Sequence, residues 1–396
     1  MIMPDARDTL DSGAVANTAT HVVLLTPVGR GAVATILVAG KRAVACVAAH
    51  FQPAGRVSVP ELPIGRIAFG RWGGPPGEEI VVGRRGACEF EIHCHGGEAA
   101  PRAIVDSLVA AGCQRIEWRA WIRAAEADKI AAAARIALAA APTQQTALVL
   151  VDQMQGALRA AIDVLGGHLA AGRSEPAMAF VDSLLRFASF GLHLTRPWKV
   201  VLAGRPNVGK SSLINALVGY ERAIVFDQPG TTRDVVTAST ALQGWPVELS
   251  DTAGLRVAHD PLEAAGIELT QTQLATADLV VLVFDASAAR TSEDEALRAT
   301  WPAALVVCNK SDLLIDNSPK PDGLLTSTLS GAGLPQLVDE IVRRLVPEAP
   351  AAGQAVPFTA EQVDALRQIR RLLDAGDVAA AADCLAGPIS FYQPEA

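Results

Sequence analysis

Short apolar blocks separated by turn residues dominate the first third of the chain, a pattern that is typical of strands. Residues 89–95 alternate with period two and end at a pair of glycines. The loop after the first block contains Pro27, Gly29 and Gly31, which favour a reversal between two strands. The pattern predicts strands at 22–25, 34–38, 66–69 and 89–95 and a helix at 98–111. We therefore expect a small α+β domain over residues 20–118, after a disordered leader at 1–19.

Helical spacing replaces the strand pattern from about residue 120 to residue 196, where alanine is frequent. Antiparallel helices are expected at 124–141, 148–169 and 180–194, with breaks at Pro142, Gly166-Gly167 and Pro176. One further helix is predicted at 361–385, and it cannot extend past Pro388. Strand and helix patterns alternate between these stretches. We therefore predict a multidomain α/β protein in which a domain at 199–347 is inserted in a helical domain formed by 119–198 and 351–396.

The composition narrows the class of protein. Half of the 396 residues are apolar and 19% are charged, as in globular proteins. The net charge of −8 argues against sequence-independent binding of nucleic acid through a basic face. The six cysteines contain no C-x-x-C pair, the first residues do not form a signal peptide, and no apolar run is long enough to span a bilayer. We expect a soluble, cytoplasmic protein without a membrane partner.

His93, Cys94 and His95 are close enough in sequence to raise the question of a metal site. Alternate residues of a strand point to opposite faces, so Cys94 cannot join both histidines around one ion. We interpret this segment as a strand that leads into a glycine turn.

The clearest chemical signal is the run from Gly204 to Ser211, a complete Gly-x-x-x-x-Gly-Lys-Ser pattern. A β-branched run precedes it and a helical pattern follows it, which is the context of a phosphate-binding loop. Backbone N–H groups and the start of the helix provide positive charge for phosphates. Lys210 is expected to reach the β- and γ-phosphates, and the Ser211 hydroxyl is expected to bind Mg²⁺.

Three further elements specify the nucleotide. Asp251 begins an Asp-x-x-Gly stretch 41 residues after Lys210, where a carboxylate can hold Mg²⁺ through water. Asp312 ends an Asn-Lys-x-Asp stretch and can accept two hydrogen bonds from guanine, which adenine cannot offer. The element at Ser327 is expected to read guanine O6 through its backbone. Thr232 is the preferred switch ligand of Mg²⁺, and Thr231 is its alternative.

Together these elements predict a P-loop GTPase domain. The residues predicted to contact GTP are Asn207, Val208, Gly209, Lys210, Ser211, Ser212, Thr231, Thr232, Asp251, Thr252, Ala253, Gly254, Asn309, Lys310, Asp312, Ser327 and Thr328.

The residues that would drive hydrolysis are unusual. Leu255 stands where many small GTPases carry a glutamine that orients water, and leucine cannot do so. GTPases that use K⁺ instead of an arginine carry an asparagine at the position of Asn207, and a loop before the switch threonines completes the ion site. The predicted K⁺ ligands are Asn207, Phe226, Gln228 and Thr231. The alternatives are an arginine of this chain (Arg205, Arg233 or Arg256) or of a partner.

The phosphate loop, Gly230-Thr231-Thr232-Arg233-Asp234 and Asp251-Thr252-Ala253-Gly254-Leu255-Arg256 resemble those of the tRNA modification GTPase MnmE (TrmE) family. The segments 26–31 and 91–97 resemble that family's N-terminal domain. The resemblance implies a K⁺-stimulated GTPase that dimerises through this domain and binds formyl-tetrahydrofolate there. With an FAD-dependent partner, such a protein would modify the wobble uridine of tRNA. Glu263 matches a family glutamate that positions the attacking water, so Glu263, Asn207 and Lys210 are the implied catalytic residues.

Other positions depart from the family pattern. Glu91 matches a folate contact of the family, but Leu37 stands where the family has an arginine that contacts folate. The sequence ends in Gln393-Pro394-Glu395-Ala396 and lacks the family's C-terminal Cys-x-Gly-Lys motif. Two hypotheses therefore stay open: a GTPase that acts in wobble uridine modification, and a regulatory or assembly GTPase that has lost the folate-dependent chemistry.

Overall fold

A computed structural model describes residues 19–27, 29, 31–220, 237–251, 274–314 and 321–387. The chain divides into two compact units, Met1–Ala132 and Ala133–Ala396. The architecture is mixed α/β, with a P-loop domain and additional helices. Within the described ranges, none of the helices combines the length and the apolar character needed to cross a membrane. The predicted leader lies almost wholly outside these ranges.

The first unit is built on a seven-stranded sheet with the order β3-β4-β5-β6-β2-β1-β7. All neighbouring pairs are antiparallel except β1 and β7, which are parallel. The strands are β1 (His21–Leu24), β2 (Val33–Ala39), β3 (Phe51–Pro53), β4 (Ile67–Trp72), β5 (Glu78–Gly86), β6 (Glu89–His95) and β7 (Gln114–Arg115). The helices of this unit are α1 (Ala43–Ala48), α2 (Ala99–Ala110) and α3 (Trp118–Ala125), and α4 (Lys129–Leu138) crosses the boundary to the second unit.

The period-two pattern places the two faces of this sheet in different surroundings. On one face Ile36, Phe90 and Ile92 are fully buried in a core that also includes residues of α1 and α2. On the other face Leu37 packs with Trp121 of α3. The four predicted strands and the helix at 98–111 are confirmed with small shifts of their ends. Helix α1 and the long strand β5 were not predicted from the sequence.

The strand β6 also separates the three residues of the suspected metal site. Cys94 is buried in the core, whereas His93 and His95 lie on the opposite face. His93 Nδ1 lies 3.1 Å from Thr35 Oγ1, and His95 Nδ1 lies 2.6 Å from a carboxylate oxygen of Glu78. Burial and the nearby Glu78 carboxylate raise the pKa of the Cys94 thiol to about 11. Cys94 is therefore a protonated thiol in the core at neutral pH.

Helices on both sides of the P-loop domain in sequence form the helical part of the second unit. They are α5 (Gln144–Met154), α6 (Ala157–Ala170), α7 (Ser174–Leu185), α8 (Ala188–Leu192), α12 (Ala360–Asp374) and α13 (Val378–Ala386). Although far apart in sequence, α12 packs against α7, and α13 packs against α6. The domain limits proposed from the sequence remain a prediction.

The predicted helices at 148–169 and 180–194 are each divided in the structure, at Gly156 and at Arg186-Phe187. Two further predictions about these helices were also wrong. The expected break at Gly166-Gly167 lies inside α6, because the burial of Leu158, Ile162, Leu165 and Leu169 along the helix outweighs the low helix propensity of two glycines. The expected single helix at 361–385 is divided, since Gly376 adopts a positive φ of 78° between α12 and α13. Pro142 does separate two helices, and Pro176 lies in the first turn of α7, where proline is tolerated.

The P-loop domain is a six-stranded sheet with the order β13-β12-β11-β8-β10-β9. All neighbouring strands are parallel except β9 and β10. The strands are β8 (Trp198–Ala203), β9 (Thr237–Leu242), β10 (Trp245–Asp251), β11 (Leu279–Asp285), β12 (Leu305–Asn309) and β13 (Leu324–Leu325). The described helices are α9 (Lys210–Tyr220), α10 (Ser292–Thr300) and α11 (Leu334–Leu345).

Burial on both faces explains the continuous apolar runs of the central strands. Val200 and Leu202 face a core that contains residues of α9 and α11, and Val201 faces a second core on the other side. The carboxyl ends of β8, β10, β11 and β12 therefore meet at one edge of the sheet, where an α/β fold binds ligands.

Candidate guanine nucleotide site

The phosphate loop connects the end of β8 to the start of α9. Lys210 is only 4% exposed, and its Nζ donates to the carbonyl oxygens of Gly204 and Arg205 at 3.0 and 3.2 Å. The same Nζ lies 3.8 Å from Asp251 Oδ1. A buried ammonium group needs such partners, because burial of an unpaired charge is costly. The loop carbonyls and Asp251 therefore hold the lysine at the phosphate end of the site.

A pair of oxygen ligands lies next to this lysine. The Ser211 hydroxyl donates to Asp251 Oδ2 at 2.6 Å. Asp251 is the last residue of β10 and is 1% exposed. A hydroxyl and a carboxylate at this spacing are the hard oxygen donors that Mg²⁺ prefers, so the residues present fit that ion. The structure brings together the two predicted elements that are 40 residues apart in sequence.

The guanine end of the site is tied to the phosphate loop through Asn309, the last residue of β12. Asn309 is 1% exposed; its Nδ2 donates to the Val208 carbonyl at 3.0 Å, and its Oδ1 accepts from Thr326 Oγ1 at 3.3 Å. The approach is so close that a side chain at Gly209 would place its Cβ 2.3 Å from Asn309 Nδ2. Only glycine at this position permits the contact.

Two side chains after Asn309 stand at the expected place of the base. Asp312 is exposed, and its Oδ1 accepts a hydrogen bond from the Ser327 hydroxyl. Lys310 has a left-handed backbone with φ 64°, and its Nζ lies 2.7 Å from Asp285 Oδ2. Asp312, which would bind the guanine edge, is thus held by Ser327, whose backbone was predicted to bind guanine O6.

Comparisons with known proteins agree with this arrangement. A family model described as "50S ribosome-binding GTPase" matches residues 199–310. The tRNA modification GTPase MnmE of Synechococcus sp. (strain JA-3-3Ab) is 32% identical, over 87% of this chain and 84% of that protein. The MnmE protein of Nitratidesulfovibrio vulgaris (strain DP4) is 34% identical, over 95% and 90%. The chain belongs to the MnmE family. It is a GTP-binding and GTP-hydrolysing protein of the MnmE type.

Solved structures that the comparison matches cover smaller parts of the chain. The G domain of the T. maritima FeoB iron transporter is 28% identical, over 38% of this chain and 99% of that chain, with a TM-score of 0.28. A single-residue variant of Aquifex aeolicus Era bound to GDP·AlF4⁻ is 23% identical, over 44% and 65%, with a TM-score of 0.30.

Arg205, one of the candidates for a catalytic arginine in this MnmE-type site, is engaged elsewhere. Its Nε donates to Asp294 Oδ1 at 2.9 Å, and Asp294 is 2% exposed. Burial tends to raise the pKa of Asp294, but hydrogen bonds from Thr291 and Arg205 outweigh it and lower that pKa. The guanidinium is therefore paired with an ionised carboxylate of α10 and would have to leave it to reach a phosphate.

Asn207, the predicted K⁺ ligand, lies at the turn of the phosphate loop. Its side chain is exposed and its backbone has a φ of 65°, a left-handed conformation that asparagine adopts more readily than most residues. The amide is thus accessible at the phosphate end of the site.

Many predicted residues of the MnmE-type switch segments lie outside the described part of the chain. They are Phe226, Gln228, Thr231, Thr232, Arg233, Thr252, Ala253, Gly254, Leu255, Arg256 and Glu263. Sequence reasoning missed Asp285, Asp294 and Thr326, which hold Lys310, Arg205 and Asn309. A usable signal existed for Asp285 alone, because it ends an apolar strand on the edge that bears the motifs.

The residues that the MnmE resemblance links to folate lie on the sheet of the first unit. Glu91 Oε1 lies 3.1 Å from Arg85 Nη1, and Glu91 Oε2 lies 3.6 Å from His93 Nε2. Leu37, directly opposite Glu91 on β2, is 4% exposed and packs with Trp121. In this structure the matching carboxylate is paired, and the position of the family arginine belongs to the core.

Proposed function

We propose that this chain hydrolyses GTP at the edge formed by β8, β10, β11 and β12, with Mg²⁺ and K⁺ as cofactors, and that it acts in tRNA modification like the relatives named above. The observation that carries the proposal is the joint placement of Lys210, Ser211 and Asp251 with Asn309 and Asp312. The first three residues suit phosphates with a divalent cation, and the last two suit guanine.

The phosphate end would work by positioning and charge. Lys210 already lies against the loop carbonyls, so it needs little reorganisation to meet the β- and γ-phosphates. Ser211 would hold Mg²⁺ together with Thr232, and Asp251 would contact the ion through water. The bound cation supplies positive charge beside the phosphoryl group, where negative charge develops as water attacks.

The guanine end would select the base. The carboxylate of Asp312 accepts the two parallel hydrogen bonds that guanine N1–H and N2–H can donate, a charge-assisted pair that adenine cannot form. Ser327 holds this carboxylate in place through its hydroxyl. Lys310 would lie with its methylene groups along the base.

The hydrolytic step would use K⁺ bound by Asn207 and by the loop that contains Phe226, Gln228 and Thr231, with Glu263 positioning the attacking water. The ion pair between Arg205 and Asp294 supports this choice over a catalytic role of Arg205. A monovalent cation beside the transferred phosphoryl group would offset the charge of the transition state.

The tRNA role would require tRNA and an FAD-dependent partner, with a homodimer formed through the first unit. Two large apolar side chains support such a contact: Ile67 is 72% exposed and Phe69 is 54% exposed on β4. The second candidate function, an assembly GTPase without folate chemistry, is favoured by the burial of Leu37 and by the ion pair of Glu91 with Arg85.

One experiment separates the two candidates. The gene is expressed in a strain that lacks wobble uridine modification, and tRNA nucleosides are measured by mass spectrometry. We expect the modified uridine to return with the natural protein and not with Asp251→Asn, which removes the Mg²⁺ carboxylate. Unmodified tRNA together with measurable GTP hydrolysis would instead favour the assembly GTPase. A purified protein without GTP turnover would refute both candidates, because both require GTP hydrolysis.

A further inference from the structure

Asp285 is a carboxylate at the nucleotide edge that none of the recognised motifs contains. It is the last residue of β11 and pairs in register with Asn309, the last residue of β12. The N–H of Ala286 donates to the Asn309 carbonyl at 2.7 Å, so the chain after β11 is joined to the start of the guanine motif. Asp285 therefore stands beside the base site although it precedes Asp312 by 27 residues.

Both oxygens of Asp285 are engaged, and they have different partners. Oδ1 accepts from the Ser287 N–H at 2.9 Å and from the Ser287 hydroxyl at 2.6 Å. Oδ2 accepts from Lys310 Nζ at 2.7 Å. Burial tends to raise the pKa of Asp285, but hydrogen bonds from Lys310 and Ser287 outweigh it and lower that pKa. The carboxylate is thus ionised at neutral pH and is held by its own loop.

Lys310 is consequently fixed at both ends of its flexible stem. Its backbone is left-handed, at φ 64° and ψ 35°, and this sets the direction in which the side chain leaves the chain. Its ammonium group is bound to Asp285, while about a third of the side chain stays exposed (32%). A lysine normally has four freely rotating side-chain bonds, and here the far end is anchored before any nucleotide enters.

We propose that Asp285 is a positioning residue for guanine binding, which holds Lys310 extended across the base site so that its methylene groups are in place when the nucleotide arrives. This inference rests on the proposed nucleotide site. Without Asp285, the lysine would have to be ordered during binding. Ordering one flexible side chain weakens binding roughly 2- to 10-fold.

The test is a double-mutant cycle on nucleotide affinity. GDP and inosine diphosphate are titrated by calorimetry into the full chain and into Asp285→Asn, Lys310→Met and the double variant. We expect Asp285→Asn to weaken both nucleotides by the same factor of about 2 to 10, because Asp312 still reads the base edge. The double variant should bind no more weakly than Lys310→Met alone, since Asp285 acts through Lys310.

A matched control is available at the other end of the same strand. Asp278 directly precedes β11, accepts from the Lys199 N–H at 2.7 Å and pairs with His193. Asp278→Asn removes an ion-paired carboxylate of the same strand, 30% exposed against 17% for Asp285, away from the carboxyl ends of the strands, so GDP affinity should stay unchanged. Ser287→Ala keeps the Asp285 carboxylate and removes one of its donors, and it should cause a smaller loss that also disappears in the Lys310→Met background.

Several outcomes would overturn the role of Asp285. The first is a GDP affinity of Asp285→Asn equal to that of the natural protein. The second is a further loss of affinity when Asp285→Asn is added to Lys310→Met. The third is a change in the ratio of the affinities for GDP and inosine diphosphate. If Asp285→Asn does not fold, as judged by thermal unfolding without nucleotide, the Ser287→Ala cycle gives the same decision. A natural protein that binds no GDP would instead refute the nucleotide site itself.

Discussion

Two glycines in the loop after Ser327 offer a sharp test of how the guanine site is built. Gly331 and Gly333 have nearly equal positive φ values of 79° and 74°. An added Cβ at Gly331 would meet nothing within 4 Å, whereas at Gly333 it would lie 1.9 Å from the Leu325 carbonyl oxygen. We predict that Gly333→Ala destabilises the protein much more than Gly331→Ala, which is the matched control.

The two costs can be separated. Each alanine must adopt a left-handed backbone, which costs about 1–2 kcal/mol. At Gly333 an ordinary contact of 3.4 Å requires a further shift of about 1.5 Å by a backbone carbonyl, which cannot rotate away like a side chain. Such overpacking costs about 1–3 kcal/mol. We therefore expect a loss of about 1–2 kcal/mol for Gly331→Ala and of about 2–5 kcal/mol for Gly333→Ala.

The displaced carbonyl also connects stability to binding. Leu325 pairs with Cys308 of β12, and the Ser327 N–H donates to the Ala332 carbonyl at 2.9 Å beside Gly333. A shift of this loop would move the hydroxyl that holds Asp312, so GDP affinity should also fall in Gly333→Ala. Urea unfolding without nucleotide gives the free energy of unfolding, and calorimetry gives GDP affinity. Equal losses of stability in the two variants would refute the reasoning.

Three further predictions address the site. Asp312→Asn should shift the preference from GTP towards xanthosine triphosphate, because the asparagine amide can donate to the oxygen that xanthine carries in place of the N2 amino group of guanine; competition between the two nucleotides measures this. GTP turnover should be faster in K⁺ than in Na⁺ at equal ionic strength, and Asn207→Ala should abolish the difference; equal rates in the natural protein would exclude Asn207 from the mechanism. Asp294→Asn should lower the free energy of unfolding by about 1–3 kcal/mol, since Arg205 loses a charged partner. Because the native pKa of Asp294 lies below its ordinary value of 3.8, this difference should persist above about pH 4 and shrink as the pH falls below 3.8.

Local patterns of apolar residues were sufficient to predict strands where a single periodicity dominated the segment. Residues 89–95 form β6 as the period-two alternation required, and the run before Gly204 forms β8. The phosphate loop, Asp251 and Asn309 lie together because parallel strands end at one edge, and this rule can be applied to a sequence without coordinates. The main contacts of the nucleotide site were therefore predictable from order and spacing.

Contacts between distant segments were not predictable in the same way. The glycine pair in α6 looks like a helix break, but α6 continues through it and packs against α13, a contact that local sequence does not reveal. Asp294 looks like part of a helix cap, which it is, but its ion pair with Arg205 depends on the position of α10 beside the phosphate loop. Helix propensity depends on neighbouring residues in the sequence, whereas the contacts of these residues depend on tertiary packing.

The burial of Leu37 bears on how the two proposed functions relate. Leu37 packs with Val23, Ala39 and Trp121, so an arginine at this position would have to bury a guanidinium group or displace Trp121 from the sheet. Its neighbour Glu91 is already paired with Arg85. These residues lie in the first unit, whereas every described residue of the nucleotide site lies in the second. We therefore expect a change at Leu37 or Glu91 to leave the described contacts of the nucleotide site in place. GTPase assays alone cannot separate the two functions, and analysis of tRNA nucleosides can.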